Sequence, residues 1–220
     1  MRRSAVEDCM KVLAYYGIDP CSEEAIDVGG TPIVWLDTKP DTNPLLKLVP
    51  RLTFLDKGFN VEYFRTNADI IGDFLDPGVA GILENRFKMV FCFDTLEHVS
   101  NPFVFSANLL RIAKPGGYIY SSTLFSWGYH PSPEDYFRFS PEGLRECFRI
   151  GSQDSSIKYE LIWGGWESDR RRVGILIQKE GRKESVPRAP LVLEERNEWS
   201  VPSKWERTKA MIKGLSRVLK

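Results

Sequence analysis

The amino-acid sequence predicts one α/β domain, built on a mostly parallel β-sheet that is flanked by helices. Its 220 residues are enough for one well-packed domain of about 150 to 200 residues and an appendage. The clearest strand is the continuous apolar run over residues 89–93, which is typical of a strand buried on both faces of a parallel sheet. A helix and a second strand are predicted directly after it, and this order builds a βαβ unit.

The elements before this run are short. Apolar residues at spacings of three and four predict a helix over residues 4–17. The run 25–28 is a predicted strand that enters a glycine turn, and the proline-containing stretch 35–50 is predicted to be mostly irregular. Three further short strands are predicted, over residues 52–55, 61–64 and 68–71.

The elements after residue 93 have clearer signals. Asn101 is predicted to cap a helix that begins at Pro102, because asparagine caps and first-turn prolines both favour a helix start. The Lys-Pro-Gly-Gly segment over residues 114–117 is predicted to end that helix in a turn. The remaining predicted elements are a strand over 118–122, a helix from Ser140 to about residue 148, and strands over 159–163 and 173–178 with a turn at Gly164 and Gly165 between them. Together these elements describe a Rossmann-like sheet.

The charge is unevenly distributed along the chain, although its 30 basic and 30 acidic residues balance. Residues 181–220 carry ten basic and five acidic side chains, which leaves an acidic body. We therefore predict a folded domain over residues 1–180, a linker over 181–202 and a basic amphipathic helix over 203–220. This helix is expected to dock on its own domain, on another protein or on an anionic membrane surface.

Composition also narrows the partners. An acidic body argues against a nucleic-acid partner, because nucleic-acid-binding domains carry a strong basic patch, so a small molecule or a glycan is expected instead. No metal centre is expected, since the four cysteines form no close pair and the chain has two histidines. No apolar run approaches the roughly 18 residues of a transmembrane helix. The expected location is cytoplasmic, with peripheral membrane contact as an alternative, and the oligomeric state is left open.

Two sequence segments resemble a known family. The segment FKMVFCFDTLEHVSNP (residues 87–102) is followed by LLRIAKPGGYIYSS (residues 109–122) at the spacing that this family uses. They resemble class I S-adenosylmethionine-dependent methyltransferases, in the group with Leu-Glu-His-Val after the fourth strand. The likeness extends roughly over residues 20–180. It implies S-adenosylmethionine as the cofactor and methyl transfer to an oxygen or nitrogen of a small molecule or glycan.

The resemblance also implies a cofactor site. In open α/β sheets the ligand lies beyond the carboxyl ends of the strands, where the strand order reverses. Gly29 and Gly30 would let the backbone approach the cofactor, an acid after the second strand would bind the ribose, and the pair after the third strand would bracket the adenine. The residues predicted to bind the cofactor are Asp27, Gly29, Gly30, Thr31, Asp56, Asp73, Phe74, Phe93, Asp94, Thr95 and Leu96.

The glycine turn departs from the family pattern. The family motif reads acid-x-Gly-x-Gly-x-Gly, whereas residues 27–33 read Asp-Val-Gly-Gly-Thr-Pro-Ile, with Gly29 alone in register. The β-branched side chains of Thr31 and Ile33 stand where the family has none. A scaffold that binds without catalysing is therefore one alternative. The ribose position is a second open point: if the second strand is 61–64, it falls near Arg65 instead of Asp56.

The segment 129–139 is the predicted catalytic loop, because it follows the strand at which relatives place residues that contact the substrate. His130 or Asp135 would remove the proton of the methyl acceptor. The alternative is an Asp135–Arg138 ion pair that braces the loop. The residues predicted to contact the acceptor are Trp127, Tyr129, Tyr136 and Arg138.

Two further readings stay open. Glu97 and His98 are interpreted as residues that start a helix and pack the loop, with a direct chemical role as the alternative. A nicotinamide-dependent oxidoreductase also has a strand, a glycine turn and a later acid. That class lacks support here because Gly-x-Gly-x-x-Gly is absent from the turn.

Overall fold

The computed structural model describes residues 3–36, 39–58, 68–131, 133–153 and 155–181. The strand predicted at 61–64 and the helix predicted at 203–220 lie outside these ranges, as does the linker after residue 181. None of the described helices is long and apolar enough to span a membrane.

The described part of the chain contains more strands than helices. The strands are β1 (Ala25–Val28), β2 (Ile33–Leu36), β3 (Lys39–Thr42), β4 (Leu52–Asp56), β5 (Ile70–Ile71), β6 (Phe87–Phe93), β7 (Ala113–Leu124), β8 (Tyr159–Trp166) and β9 (Arg172–Lys179). The helices are α1 (Arg3–Tyr15), α2 (Pro77–Ile82), α3 (Pro102–Ile112) and α4 (Pro141–Gly151), with a short 3-10 turn at Leu96–His98.

Seven strands form the main sheet, in the order β5-β4-β1-β6-β7-β9-β8. The pairs β4·β5, β1·β4, β1·β6 and β6·β7 are parallel, whereas β9 runs antiparallel to both β7 and β8. The chain order reverses at β1, which lies between β4 and β6. Because ligands bind beyond the carboxyl ends of strands at such a reversal, this topology places the functional crevice after β1, β4 and β6.

Apolar side chains cover both faces of the sheet. Strand β6 shows the division: Met89 and Phe91 join the cluster under α1, while Val90 and Cys92 join the cluster with α3 and α4. All four side chains are buried. The continuous apolar run of β6 is therefore explained by burial on two faces, and the predicted Rossmann-like, mostly parallel sheet is confirmed.

The predicted helix starts are confirmed by their hydrogen bonds. The Asn101 side chain accepts from the Val104 backbone N–H, and the Ser140 side chain accepts from that of Gly143. Both caps are followed by proline at the first helical position. Asp76 and Pro77 start α2 in the same way, a signal that the sequence analysis did not use.

Two predictions about turns are wrong, and one holds in part. Residues 43–50 are turn or irregular, as predicted for the stretch 35–50, but residues 35–36 and 39–42 belong to the antiparallel hairpin of β2 and β3. Gly116, at φ +77°, lies inside β7 as part of an irregularity in the pairing with β6, so the chain does not leave the sheet there. Gly164 and Gly165 pair with β9, and the connection between β8 and β9 lies at residues 167–171 instead.

Candidate active site

A cavity of about 180 Å³ lies at the carboxyl ends of β1, β4, β5 and β6. Residues that follow four different strands meet there because the strands are parallel. Six of the eleven residues predicted to bind the cofactor line the cavity: Gly29, Asp56, Asp73, Phe74, Asp94 and Thr95. His98 and Tyr136 also line it.

Asp56 and Asp73, at the carboxyl ends of β4 and β5, differ in their hydrogen-bond and ion-pair partners. Asp56 Oδ1 accepts from the Gly58 backbone N–H at 2.8 Å, and burial raises the pKa of Asp56. Asp73 Oδ2 is 2.8 Å from Lys57 Nζ, and this contact lowers the pKa of Asp73. Asp56 therefore offers the cavity a carboxylate with no cationic partner among the described residues, whereas the charge of Asp73 is balanced by Lys57.

The glycines after β1 are required by the turn itself. Gly29 has φ +85°, and a Cβ there would lie 2.3 Å from Thr95 Oγ1. A Cβ on Gly30 would lie 2.0 Å from Asp27 Oδ2. Gly29 lines the cavity, so close approach of the cofactor stays the prediction there, and protein side chains also exclude a larger residue at both positions.

Asp27 lies behind the turn and is fully buried. Asn43 Nδ2 is 3.4 Å from Asp27 Oδ2 and donates at 2.9 Å to the carbonyl of Thr31. Asp27 Oδ1 has no hydrogen-bond partner among the described residues, and burial raises the pKa of Asp27 to about 7. Asn43 was not predicted, and it is the residue that ties the altered turn to its flanking segment.

Five predicted cofactor residues do not line the cavity: Asp27, Gly30, Thr31, Phe93 and Leu96. Phe93 packs against Tyr120 under α1, with ring centroids 5.7 Å apart. Leu96 is fully buried in the cluster beside α3. These two side chains are core residues because they point away from the crevice, into opposite faces of the sheet.

Asp94 lines the cavity and also forms a buried ion pair. Arg172 Nε is 2.7 Å from Asp94 Oδ1, and Arg172 Nη2 is 3.0 Å from Oδ2. Arg172 Nη1 binds Asp169 at 2.7 Å, and the Arg172 side chain is 3% exposed. Burial opposes ionisation of Asp94, but the guanidinium holds its pKa below the ordinary value. Asp94 therefore lines the crevice and also joins the end of β6 to β9 through this ion pair.

The acceptor loop, residues 125–139, is braced from inside. Arg138 donates to Asp135 Oδ1 at 2.5 Å and to Oδ2 at 2.7 Å. Its other donors reach the carbonyls of Trp127, Phe137 and Gly128. All five N–H groups of the guanidinium are thus engaged, which favours the alternative in which the Asp135–Arg138 ion pair braces the loop.

Asp135 fits the brace better than the role of base. Its side chain is 1% exposed, and it accepts a third hydrogen bond from the His130 backbone N–H at 2.8 Å. The Arg138 guanidinium holds the pKa of Asp135 well below its usual range. A carboxylate stabilised in this way accepts a proton poorly, so His130 remains as the predicted base in this loop.

His98 and His130 lie against each other, with ring centroids 4.7 Å apart. His98 Nδ1 is 2.6 Å from the Glu134 carbonyl, and His130 Nδ1 is 3.1 Å from the Gly128 carbonyl. Because a carbonyl needs a donor, these contacts assign the proton of each neutral ring to Nδ1. Each Nε2 then carries a lone pair, and this pairing was not predicted because the loop brings together residues 32 positions apart.

Glu97 lies beneath this pair and is fully buried. Its Oε2 accepts from Thr123 Oγ1 at 2.7 Å, and its Oε1 has no hydrogen-bond partner among the described residues. Burial raises the pKa of Glu97 to about 7. Its carbonyl accepts from the backbone N–H of Tyr136 at 2.7 Å, so Glu97 does anchor the acceptor loop, as the sequence analysis interpreted.

One ligand atom each from Glu97, His98 and His130 lies within 4.8 Å of the others. Two imidazoles and a carboxylate in this arrangement could hold a divalent metal ion. No metal centre was expected from the sequence, because the chain has two histidines. The tertiary structure brings both of them to one site.

The three aromatic residues that were predicted to contact the acceptor lie in three different places. Tyr136 lines the cavity and is 49% exposed. Trp127 lines a second, open groove on the acceptor loop. Tyr129 is 78% exposed and lines neither of these pockets.

Comparison with known proteins agrees with this geometry. A family model described as a methyltransferase domain matches residues 62–121. A ubiquinone biosynthesis O-methyltransferase from Pseudomonas fluorescens is 32% identical over 76 residues, which are 34% of this chain and 29% of that protein. The match thus spans less than one third of the curated relative's length.

Two solved structures share the architecture. The cyclase SpnF superimposes with a TM-score of 0.54 at 14% identity, over 81% of each chain. A 1,6-didemethyltoxoflavin-N1-methyltransferase from Burkholderia thailandensis, solved with bound S-adenosylhomocysteine, gives 0.52 at 12% identity over 81% of this chain and 79% of that one. At these identities the likeness shows the fold alone.

The matches favour the methyltransferase prediction over the nicotinamide-dependent alternative. A methyltransferase domain over residues 62–121 is consistent with S-adenosylmethionine as the expected cofactor. The chain therefore has the class I S-adenosylmethionine-dependent methyltransferase fold and carries the methyltransferase domain signature over residues 62–121.

Proposed function

We propose that this protein transfers a methyl group from S-adenosylmethionine to an oxygen or nitrogen of a small molecule or glycan. The observation that carries the proposal is the pair of imidazoles, His98 and His130, at the rim of a cavity that lies at the sheet reversal. The name of the curated relatives, an O-methyltransferase, supports oxygen as the methylated atom.

The residues at the crevice fit the cofactor. Asp56 offers carboxylate oxygens suited to ribose hydroxyls, and Phe74 offers an apolar surface to the adenine. The cavity of about 180 Å³ is smaller than the roughly 300–1,000 Å³ typical of ligand pockets, so we expect Lys57 or Tyr136 to move when the cofactor enters.

The chain's own residues would then handle the acceptor proton. When bound, S-adenosylmethionine supplies an electrophilic methyl group on a sulfonium. His130 Nε2 would take the proton of the acceptor, because Nδ1 is already committed to a carbonyl. Asp135, whose Oδ2 lies 3.3 Å from His130 Nδ1, would stabilise the resulting imidazolium.

Calorimetric titration tests the cofactor half of the proposal. S-adenosylhomocysteine should bind and raise the melting temperature, because a ligand of the native state stabilises it by mass action. NADH should not bind. Asp56→Asn should weaken S-adenosylhomocysteine, whereas Asp76→Asn, which keeps a helix-capping side chain outside the cavity, is the matched control.

The catalytic half needs an acceptor, found by screening sugars and small metabolites with labelled cofactor. Transfer of label that depends on His130 supports the proposal. Binding of S-adenosylhomocysteine without transfer to any acceptor favours the scaffold alternative that the altered glycine turn raised.

A further inference from the structure

The acceptor loop forms one wall of an open groove of about 560 Å³ at the carboxyl end of β7. The groove is lined by Phe125, Ser126, Trp127, Gly128 and Arg171. It is separate from the cofactor cavity, with which it shares no lining residue. Its walls are two aromatic rings, and its formal charge comes from one guanidinium.

The backbone of this groove is fixed on both sides. The Arg171 carbonyl accepts from the backbone N–H groups of Phe125 at 2.8 Å and Ser126 at 3.1 Å. Arg138 donates to the carbonyls of Trp127 at 3.1 Å and Gly128 at 3.0 Å. A groove held in this way is preorganised, so a ligand loses little affinity to ordering it.

Two consecutive arginines, one at the end of the β8–β9 connection and one at the start of β9, have opposite roles. Arg172 is buried and bound by Asp94 and Asp169. Arg171 is exposed, its guanidinium carbon lies 5.1 Å from the Trp127 ring centroid, and within the described ranges no carboxylate lies within ion-pair distance of it. Asp169 Oδ1 accepts from the Arg171 backbone N–H at 2.9 Å, so that acid orders the turn without neutralising the side chain.

A guanidinium that stacks on an indole keeps its N–H donors for a further partner and is restrained in place by the ring. Planar oxyanions match these donors, because two parallel N–H groups can bind two oxygens. The rings of Phe125 and Trp127 add contact area for a flat apolar body.

We propose that this groove binds an oxyanion, a carboxylate or a phosphate monoester, carried on a flat apolar molecule. This assignment rests on the proposed methyl transfer, and it makes the methyl acceptor an anion. Arg171 and Trp127 hold the acceptor while His130 takes its proton. His130 follows the groove by two residues, and its Nδ1 binds the carbonyl of Gly128, which lines the groove.

The test uses simple probes in place of the unknown acceptor. Phenylacetate and phenyl phosphate are titrated against phenylacetamide, the neutral counterpart of phenylacetate. Binding is followed by NMR at the indole N–H of Trp127, which Trp127→Phe identifies by its absence. We expect the better anion to bind at least about tenfold more tightly than the amide, because hydrogen bonds to charged groups exceed neutral ones by that order. The anion that binds more tightly shows whether the groove prefers a carboxylate or a phosphate monoester.

Variants assign the effect to one side chain. Arg171→Gln should abolish the preference for anions, and Arg171→Lys should keep part of it, since lysine retains the charge without the planar fork. Arg145→Gln is the matched control: it removes the same charge from an exposed position on α4, where Arg145 pairs with Glu142. It should bind the probes like the unmodified chain.

Equal affinity for phenylacetate and phenylacetamide would overturn the inference, as would unchanged anion binding in Arg171→Gln. Titrating S-adenosylhomocysteine into the same samples separates the two proposals. If the cofactor product binds and the anions do not, the groove inference alone fails. If the anions bind and the cofactor product does not, the groove stands as an anion site and the methyl-transfer proposal fails.

Discussion

The glycine turn after β1 and the acceptor loop after β7 each hold a buried carboxylate, and the two differ in how it is satisfied. Among the described residues Asp27 has one weak contact, from Asn43 at 3.4 Å, and burial raises its pKa to about 7. Asp135 binds two guanidinium nitrogens and one backbone N–H, and its pKa is lowered. The turn therefore buries a weakly satisfied carboxylate, whereas the loop uses its own polar groups to hold its shape.

The largest expected effect concerns the imidazole that the braced loop presents. If His130 takes the acceptor proton, His130→Ala should lower turnover by about a hundredfold to ten-thousandfold, the usual worth of a positioned base. S-adenosylhomocysteine affinity should stay nearly unchanged, because His130 does not line the cofactor cavity. Steady-state kinetics and calorimetry on the same variant measure both quantities.

His98→Ala serves as the comparison, because His98 lines the cavity and should affect cofactor affinity as well. The assay is repeated with a chelator. Loss of turnover on chelation would indicate that a metal ion bound to Glu97, His98 and His130 does the chemistry assigned to the base. Full turnover in His130→Ala would exclude His130 as the base.

The next largest effect is expected at the buried ion pair between Asp94 and Arg172. Arg172→Met should lower the free energy of unfolding by about 3–5 kcal/mol, because it leaves Asp94 and Asp169 without their buried cation. Urea unfolding measures the loss. Arg149→Met, at an exposed pair with Glu146, should cost far less. Similar losses in the two variants would show that burial of the Asp94–Arg172 pair is unimportant.

The brace predicts a smaller, coupled effect. Asp135→Asn and Arg138→Gln should each destabilise the chain, and the double variant should cost less than their sum, with a coupling of about 0.5–3 kcal/mol. A double-mutant cycle in urea measures this coupling. Additive losses would mean that the two side chains act independently, against their contacts at 2.5 and 2.7 Å.

A gradual effect is expected from the pH dependence of the glycine turn. Burial raises the pKa of Asp27 from 3.8 to about 7, so the folded chain binds more protons than the unfolded chain between these values. Stability should therefore fall as the pH rises from about 4 to 7, by at most about 1.4 kcal/mol per pH unit for this group. Melting curves of the ligand-free protein measure the slope, and Asp27→Asn should reduce it. An unchanged slope in that variant would assign the effect to Glu97 or Glu167, whose pKa values burial also raises.

The strand-end positions of the site could be predicted from local sequence. Gly29, Asp56 and Asp73 each follow a recognisable strand, and parallel strands bring their carboxyl ends to one edge, so these residues were expected together and do line one cavity. The signals were apolar runs that end on glycine or aspartate. The same logic failed for Phe93 and Leu96, because the direction of a side chain at a strand end depends on the packing of both faces.

The sequence alone determined the sheet, the helix caps at Asn101 and Ser140, and the methyltransferase signature, because periodicity and capping act over a few residues. Only the tertiary structure decided which partner each polar side chain has. Arg172 reaches Asp94 across 78 positions, and His130 meets His98 across 32, so no local pattern reports either contact. Burial and long-range partners set the charge state of each carboxylate, and both come from packing of the whole domain.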